Sequence, residues 1–352
     1  MISAVDYRPT QTFNDGQSVS QEALPDNKME TPMAVTAQAF NAAASMQELY
    51  DLLAQCGIEN GWNKPEPSLY ALPKKEFLPA HFSWSLGRAA LDAAGRFVNT
   101  ELAERRNLIL ANPVPGNKYP TVKTLVAAYQ MVKGGEVARS HRHTANALRL
   151  VLDTGERAYT IVEGKKIPME NGDVLLTPNW YWHGHSNEGP SNAYWMDFLD
   201  VPTVHMLGPM FFEHHPEDVE HADEVAMQSP CRFAWADTLA RFADAPETSP
   251  GCREIELGSP ALATIALHVT RLDAGASFSV EPSTLNCIYA PMKGAGTANI
   301  DGKTFEWARG DALAVPSSSP HTWTAKEESY LLRVSDKPLL EHLNWLRPVP
   351  AR

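Results

Sequence analysis

In the stretch HRHTANALRL, His141 and His143 stand two residues apart, the spacing at which side chains leave the same face of a β-strand. Two imidazoles on one face make the beginning of a metal clamp, yet the carboxylate that often accompanies such a pair is absent. A third imidazole is offered by LTPNWYWHGHSN, where a Gly172-Asp173 turn and Pro178 can return the chain so that His183 joins the pair. Three neutral imidazoles leave up to three positions open on a six-coordinate ion and leave the ion its full charge. Such a set suits iron, copper, nickel or zinc better than magnesium or calcium. It also favours an anionic, bidentate ligand. The bland alternative is three unrelated core or surface histidines. Against it stand two ordered segments, G-x5-H-x-H from Gly135 and G-x5-P-x-W-x-x-H-x3-N from Gly172 to Asn187.

The elements that must hold these residues are short and β-type. Beyond Pro120 the chain reads as runs punctuated by Gly, Pro, Asn and Asp: TVKTLVAAYQMV, ALRLVLD, AYTIVEG, DVLLTP and AYWMDFLDV. That is the pattern of a sandwich or barrel. In the first run, Val122, Thr124, Val126, Ala128 and Gln130 are expected to share one face, mostly small. Earlier in the chain the pattern is helical. SMQELYDLLAQC places Met46, Leu49, Leu52 and Leu53 at helical spacing between an N-cap Ser45 and a stop at Gly57, and SLGRAALDAAGRFV (85–98) predicts a second helix. Residues 1 to about 35 are polar and read as a flexible or wrapping arm.

The chain also contains an internal repeat. EGKKIPMENGDVLLTPNWYWHGH overlays DGKTFEWARGDALAVPSSSPHTW without a gap, pairing Gly164 with Gly302, Gly172 with Gly310, Asp173 with Asp311, Pro178 with Pro316 and His183 with His321, each pair 138 apart. The same β unit is therefore expected twice. In the second copy the positions 138 after His141 and His143 are Ser279 and Glu281, so this copy reads as metal-free.

Composition narrows the function classes. A chain of 352 residues can bury a substantial core in two domains or one double domain. Its net charge of −12 repels nucleic acid and anionic membrane. The cysteines, Cys56, Cys231, Cys252 and Cys287, form no C-x-x-C pair, which fits a reducing cytoplasm. The opening MISAVDYRPTQTFNDGQ lacks a basic start and an apolar core, so no secretory signal is expected, and no apolar run approaches the length needed to span a bilayer. The His214-His215 pair in EHHPEDVEHADE reads as a solvated or subunit-contact segment.

The two spaced motifs resemble those of the cupin superfamily, although the Glu of the cupin pattern is replaced here by Leu148. More specifically, HRHTANALR, LTPNWYWHGHSN and ERRNLILANP (104–113) resemble the gentisate 1,2-dioxygenase family, which includes salicylate and 1-hydroxy-2-naphthoate dioxygenases. The resemblance runs from about Ala80 to the C-terminus. It implies an all-β bicupin: an N-terminal arm with helices (1–79), a metal-binding jelly-roll barrel (80–220) and a metal-free copy (221–352). It further implies Fe(II) on His141, His143 and His183, which accounts for the missing Glu. The activity implied is extradiol-type cleavage by O2 between the carboxyl-bearing and hydroxyl-bearing ring carbons of a 2-hydroxybenzoate: gentisate, salicylate or a substituted salicylate such as 5-nitrosalicylate.

By the same resemblance Arg149, with Arg105 or Arg106, holds the substrate carboxylate. Gln130 and His185 line the pocket, His185 as a proton donor or acceptor, and Asp197 lies near the ring. Val126 and Ala128 give room, and salicylate-cleaving relatives carry a Trp where Val126 stands. The structural alternatives are a subunit salt bridge for Arg149, a structural pair or cap for Asp197 and an orienting role for His185. A homotetramer is implied. Rival functions are a zinc-dependent hydrolase or isomerase and a binding protein without turnover. The repeat yields a test by metal content: alanine at His141, His143 or His183 should abolish bound iron, while His321→Ala should keep it. The reverse pattern would exchange the roles of the two barrels.

Overall fold

A computed structural model describes residues 35–99 and 105–350. The expected N-terminal arm therefore lies outside the described residues. The chain divides into two units at Tyr70 and Ala71. The first contains α1 (Ala37–Ala42) and α2 (Met46–Gln55). Ser45 caps α2 by accepting from the Glu48 N–H at 3.2 Å, and Gly57 ends the segment at φ +64°. Capping and stop are those the sequence predicts.

The second unit opens with β1 (Ala80–Phe82), α3 (Trp84–Phe97) and β2 (Arg106–Ile109). It continues through β3 (Val126–Val132), β4 (Val137–His143), β5 (Ala147–Asp153), β6 (Ala158–Val162), β7 (Lys165–Pro168), β8 (Val174–Thr177), β9 (His183–Asn187) and β10 (Ala193–Leu199). Then come α4 (Val201–Leu207), β11 (Phe212–His214) and β12 (Glu224–Val225). The order then recurs: β13 (Arg232–Phe233), α5 (Trp235–Arg241), β14 (Glu247–Ser249), β15 (Cys252–Glu256), β16 (Ala266–Leu272), β17 (Ser277–Val280) and β18 (Cys287–Lys293). It closes with β19 (Ala295–Ile300), β20 (Lys303–Ala308), β21 (Ala312–Val315), β22 (His321–Ala325), β23 (Ser329–Ser335) and α6 (Lys337–His342).

Each barrel is two facing sheets. The first joins β13-β8-β5-β10-β3-β2 to β11-β4-β9-β6-β7-β12, and the second joins β1-β21-β18-β23-β16-β15-β14 to β17-β22-β19-β20. One apolar cluster contains residues of both barrels, among them Met131, Leu148 and Phe198 with Leu267, Ile288 and Leu332. The two barrels thus share a core, which explains why β3 is buried along its whole length. The expected face of the first β run is shorter than the sequence implies. Val122 and Leu125 close a turn by mutual backbone bonds of 3.0 and 3.2 Å, so only Val126, Ala128 and Gln130 share the strand face.

The barrels are also interlocked by exchanged arms. Strand β1, which precedes the first barrel in sequence, pairs with β21 of the second, and β13 pairs with β8 of the first. After β1 the Trp84 N–H donates to Asp311 Oδ1 at 2.8 Å, and His81 Nε2 meets Oδ2 at 2.8 Å. After β13 the Trp235 N–H donates to Asp173 Oδ1 at 2.8 Å, and Arg232 Nε reaches Oδ2 at 2.8 Å. This is what the repeated Gly-Asp turn is for. At Gly310 and Gly172 a Cβ would lie 2.6 and 2.8 Å from the tryptophan ring, at φ of +87° and +90°. Asp311→Ala strips three accepted bonds from a buried carboxylate and should lower the unfolding free energy by about 2–4 kcal/mol. A denaturant midpoint equal to the parent's would show that apolar packing alone holds the arm.

Candidate metal centre and its cavity

His141 and His143 lie at the end of β4 and His183 at the start of β9, and β4 pairs with β9. The register carries a bulge: His141 faces His183 and Ala138 faces His185, so Arg139 and Ser140 share the single partner Gly184. A bulge of this kind re-aims the side chains beyond it. Here it buries both Ser140 and His141, and Ser140 holds the 215–220 loop through Glu220 N at 2.9 Å and His215 N at 2.9 Å. The HH segment thus packs on the bulge.

In the second barrel β17 and β22 pair without a bulge, and Val280 faces His321. The position opposite His321 is therefore Val280 rather than Ser279. Before the bulge this strand is displaced by two residues from the 138 spacing, Val137–Ser186 matching Ser277–Thr324, and the extra residue of the first barrel reduces the displacement to one at His141.

The three imidazoles converge. Their ligand atoms all lie within 4.8 Å of one another, the one such group of histidine, cysteine or acidic residues found among the described residues. Two of the rings are oriented from behind. His143 Nδ1 donates to the Ala145 carbonyl at 2.8 Å and His183 Nδ1 to the Tyr181 carbonyl at 2.9 Å, leaving Nε2 as the ligating atom, the arrangement expected around a bound metal. Burial, Arg105 and His143 push the His141 pKa down to about 2, and burial holds His143 low and His183 well below the usual range. The donors are neutral and ready to ligate at pH 7.

A cavity of about 300 Å³ opens on two of them, His141 and His143. Arg105, Gln130, Val126 and Ala128 line it, and Arg105 Nε donates to Gln130 Oε1 at 2.5 Å. Arg106 faces away: its guanidinium pairs with Glu136 and donates to the Val98 carbonyl. Between the two arginines, Arg105 is the one in the cavity.

Arg149, His185 and Asp197 sit in the barrel interior behind the cavity wall. All three are 2% exposed or less. Arg149 Nη1 donates to Thr160 Oγ1 at 3.0 Å and lies 2.8 Å from His185 Nδ1, so it meets an unprotonated ring nitrogen. Burial and the neighbouring Arg149 hold the His185 pKa well below its usual value. Asp197 pairs across the strands with Arg149, 3.3 Å apart but not aligned as a hydrogen bond. Burial raises the Asp197 pKa and Arg149 opposes it. Asp197 is thus tied to Arg149 and does not line the cavity.

Sequence reasoning missed the rest of the lining. Asn107 and Ile109 follow Arg105 at period two on β2 and could have been found by alternation. Leu199, Val201, His205, Met210 and Phe212 come from one segment, β10 through α4 to β11. Its position depends on pairing with β4, where Phe212 faces His143 and stacks on His141 with centroids 5.1 Å apart. No local pattern signals that.

The same positions in the second barrel are filled. The cross-strand pair Arg149–Asp197 becomes Tyr289–Arg333. Tyr289 hydrogen-bonds His321 Nε2 at 3.1 Å and packs on Trp323 with centroids 4.4 Å apart.

Comparison with known proteins agrees with this geometry. A cupin-domain family model matches residues 128–201, from β3 to the start of α4. The chain is 28% identical to a 1-hydroxy-2-naphthoate 1,2-dioxygenase of Nocardioides sp. (strain KP7), over 91% of this chain and 89% of that protein. It is 29% identical to a gentisate 1,2-dioxygenase of Ralstonia sp., over 83% and 91%. The solved salicylate 1,2-dioxygenase of Pseudaminobacter salicylatoxidans superimposes with a TM-score of 0.78 at 27% identity, covering 86% of this chain and 97% of that one.

Five buried histidines, His141, His183, His185, His268 and His321, and the half-buried His143 have depressed pKa values, desolvation being the first cause in each. Unfolded, each takes a proton near pH 6.5. The folded state refuses that proton, so the stability they contribute is complete above about pH 6.5 and is lost as pH falls. The metal-free protein should therefore show a denaturation midpoint that drops steeply from pH 7 to pH 5. His321→Gln, at a site whose pKa is pushed down to about 4, should reduce the slope by about one proton. A pH-independent midpoint would contradict the buried neutral imidazoles.

Proposed function

We infer that this chain, a member of the bicupin ring-cleaving dioxygenases that include the gentisate and salicylate 1,2-dioxygenases, is an Fe(II)-dependent oxidoreductase that opens the ring of a 2-hydroxybenzoate with O2. The observation that carries this reading is three neutral imidazoles, two of them facing a cavity that also holds a guanidinium. Three uncharged donors fit iron(II) and leave room for a bidentate, anionic ligand. Bound there, iron(II) supplies the redox path between ring electrons and dioxygen. Both oxygen atoms enter the product as the bond between the carboxyl-bearing and hydroxyl-bearing carbons breaks.

The protein supplies position and field. Arg105 faces the carboxylate, and Gln130 holds its guanidinium in place; charge-assisted bonds of this type are about twice as strong as neutral ones. Val126, Ala128 and Ile109 leave a wall for a flat ring, and Phe212 covers His141. Arg149, with a pKa lowered to about 10 by burial, stays cationic behind this wall. It donates to the His185 nitrogen it contacts, so the neutral ring carries its proton on the other nitrogen, and His185 serves behind the wall to orient Arg149 rather than as a base. Asp197 balances the Arg149 charge. With Asp197 engaged there, no carboxylate lines the cavity among the described residues. The ring position expected to meet it in gentisate therefore needs no donor, and salicylate or a 5-substituted salicylate such as 5-nitrosalicylate fits equally. A homotetramer and a cytoplasmic location, the latter consistent with four free cysteines, belong to the same reading.

The decisive measurement is an oxygen-electrode screen of anaerobically Fe(II)-loaded protein with gentisate, salicylate, 5-nitrosalicylate and 1-hydroxy-2-naphthoate. Oxygen uptake with at least one, lost in Arg149→Ala with iron still bound, is expected. Absence of uptake with every substrate, together with full zinc occupancy and iron-independent turnover, would establish the hydrolase or isomerase instead.

A further inference from the structure

We propose that Thr264, which belongs to the second barrel, is a positioning residue for the metal centre of the first. The inference rests on the metal reading above and concerns what keeps the three imidazoles converged.

Two loops deliver the histidines. One runs on from His143 into β5, and the other leads from Pro178 to His183. A single side chain joins them. Asn146, three residues beyond His143, accepts the Asn179 N–H on Oδ1 at 3.0 Å. Beside this link the Trp180 N–H donates to the His143 carbonyl at 2.9 Å. Trp180 reaches that carbonyl only in a left-handed conformation, φ +66°, which a non-glycine residue adopts at a cost. The two ligand loops are therefore tied at two points, and one of the ties is an amide.

That amide is oriented from outside the barrel. Asn146 Nδ2 donates to Thr264 Oγ1 at 2.9 Å and to Asp200 Oδ2 at 3.2 Å, while the Asn146 N–H donates to Asp200 Oδ1 at 2.7 Å. The Thr264 hydroxyl in turn donates to Asp200 Oδ2. Asn146 is 5% and Asp200 2% exposed, while Thr264 is half-buried and covers them from the surface side. Removing the Thr264 hydroxyl takes a protein partner from one amide hydrogen and one carboxylate lone pair of buried groups. The amide can then turn, and the Asn179 tie with it. Asp200 also begins α4, which carries Val201 and His205 to the cavity.

The fold contains its own control. In the second barrel Asn286 Nδ2 donates to Asp336 Oδ2 at 2.9 Å, the Thr124 hydroxyl crosses from the first barrel to the same carboxylate at 2.7 Å, and Asn286 Oδ1 accepts the Ser317 N–H at 3.2 Å. This is the same linkage between barrels, but the loop it steadies leads to His321 alone. A general loosening of the barrel pair would follow from breaking either bond. Loss of metal affinity would follow only from breaking the one at Thr264.

The experiment compares the full-length parent, Thr264→Val, Thr264→Ser and Thr124→Val by anaerobic chelator competition for Fe(II), with thermal midpoints measured alongside. Both valine variants are expected to lose midpoint to a similar degree. Thr264→Val should bind Fe(II) about tenfold more weakly, the low end of what outer partners of metal ligands contribute. Thr264→Ser and Thr124→Val should stay within about twofold of the parent. Parental affinity in Thr264→Val overturns the inference, and so does an equal loss in Thr124→Val. If valine is not tolerated at 264, Thr264→Ala removes the hydroxyl without placing a methyl against Asp200 and is judged by the same two criteria. A parent protein that binds no Fe(II) would instead overturn the metal reading on which the inference stands.

Discussion

Two buried carboxylates, Asp173 and Asp311, hold this structure in its arrangement. Each accepts the backbone N–H of a tryptophan on the arm exchanged between the barrels, and each sits beside a glycine flattened against that tryptophan's ring. The exchange means that neither barrel is complete without the other's segment. The barrels share one core, and a displacement of one is felt by the loops of the other. The pairs Asp200–Thr264 and Asp336–Thr124 continue the same logic nearer the barrel mouths.

On this common frame the interiors diverge. The second barrel fills its centre with Tyr289, Trp307, Trp323 and Leu331, and its one remaining triad-equivalent histidine is engaged by Tyr289. Apolar filling favours burial at roughly 25 cal/mol per Å² and leaves no space. The first barrel keeps Arg149, Asp197, His185 and Thr160 inside instead, with a smaller apolar cluster of Val126, Ala145, Val201 and Val204. Buried charges are costly unless paired and hydrogen-bonded, and here Arg149 meets Asp197, His185 and Thr160 together. One copy has an apolar centre and the other a polar one, which places a cavity holding the Arg105 guanidinium beside three unprotonated imidazoles.

The polarity of that cavity also bears on chemistry. Arg105 and the neutral histidines favour an anion at one end, while Ile109, Val126 and Leu199 form an apolar wall for a ring. Arg149 lies behind the wall, held by His185, Thr160 and Asp197, so its charge bears on the cavity as a field rather than as a contact. Asp197 reduces that field by neutralising part of the charge.

Much of this was legible in the sequence. Strand alternation placed His141 and His143 on one face, the Gly-Asp-Pro-His repeat showed two copies of one unit, and the capping of α2 by Ser45 and the range of α3 followed from local rules. These features depend on residues within a few positions of one another, which is why pattern suffices. What pattern could not decide was anything set by pairing across the fold. The strand that carries the ligands is displaced from the 138 spacing by two residues, which the bulge at Arg139 and Ser140 reduces to one, so that Val280 rather than Ser279 faces His321. The turn at 122–125 removes Val122 and Thr124 from the strand face, Arg106 turns outward while Arg105 turns in, and Asp197 serves Arg149 instead of the cavity. In each case the local sequence allows both outcomes at similar energy. The choice is made by Gly184 and the 215–220 loop, by Glu136 and by the opposite strand, all distant in the chain, and only at 122–125 by a local closure. Sequence alone determined which residues could do the chemistry, and tertiary pairing decided which of them meet.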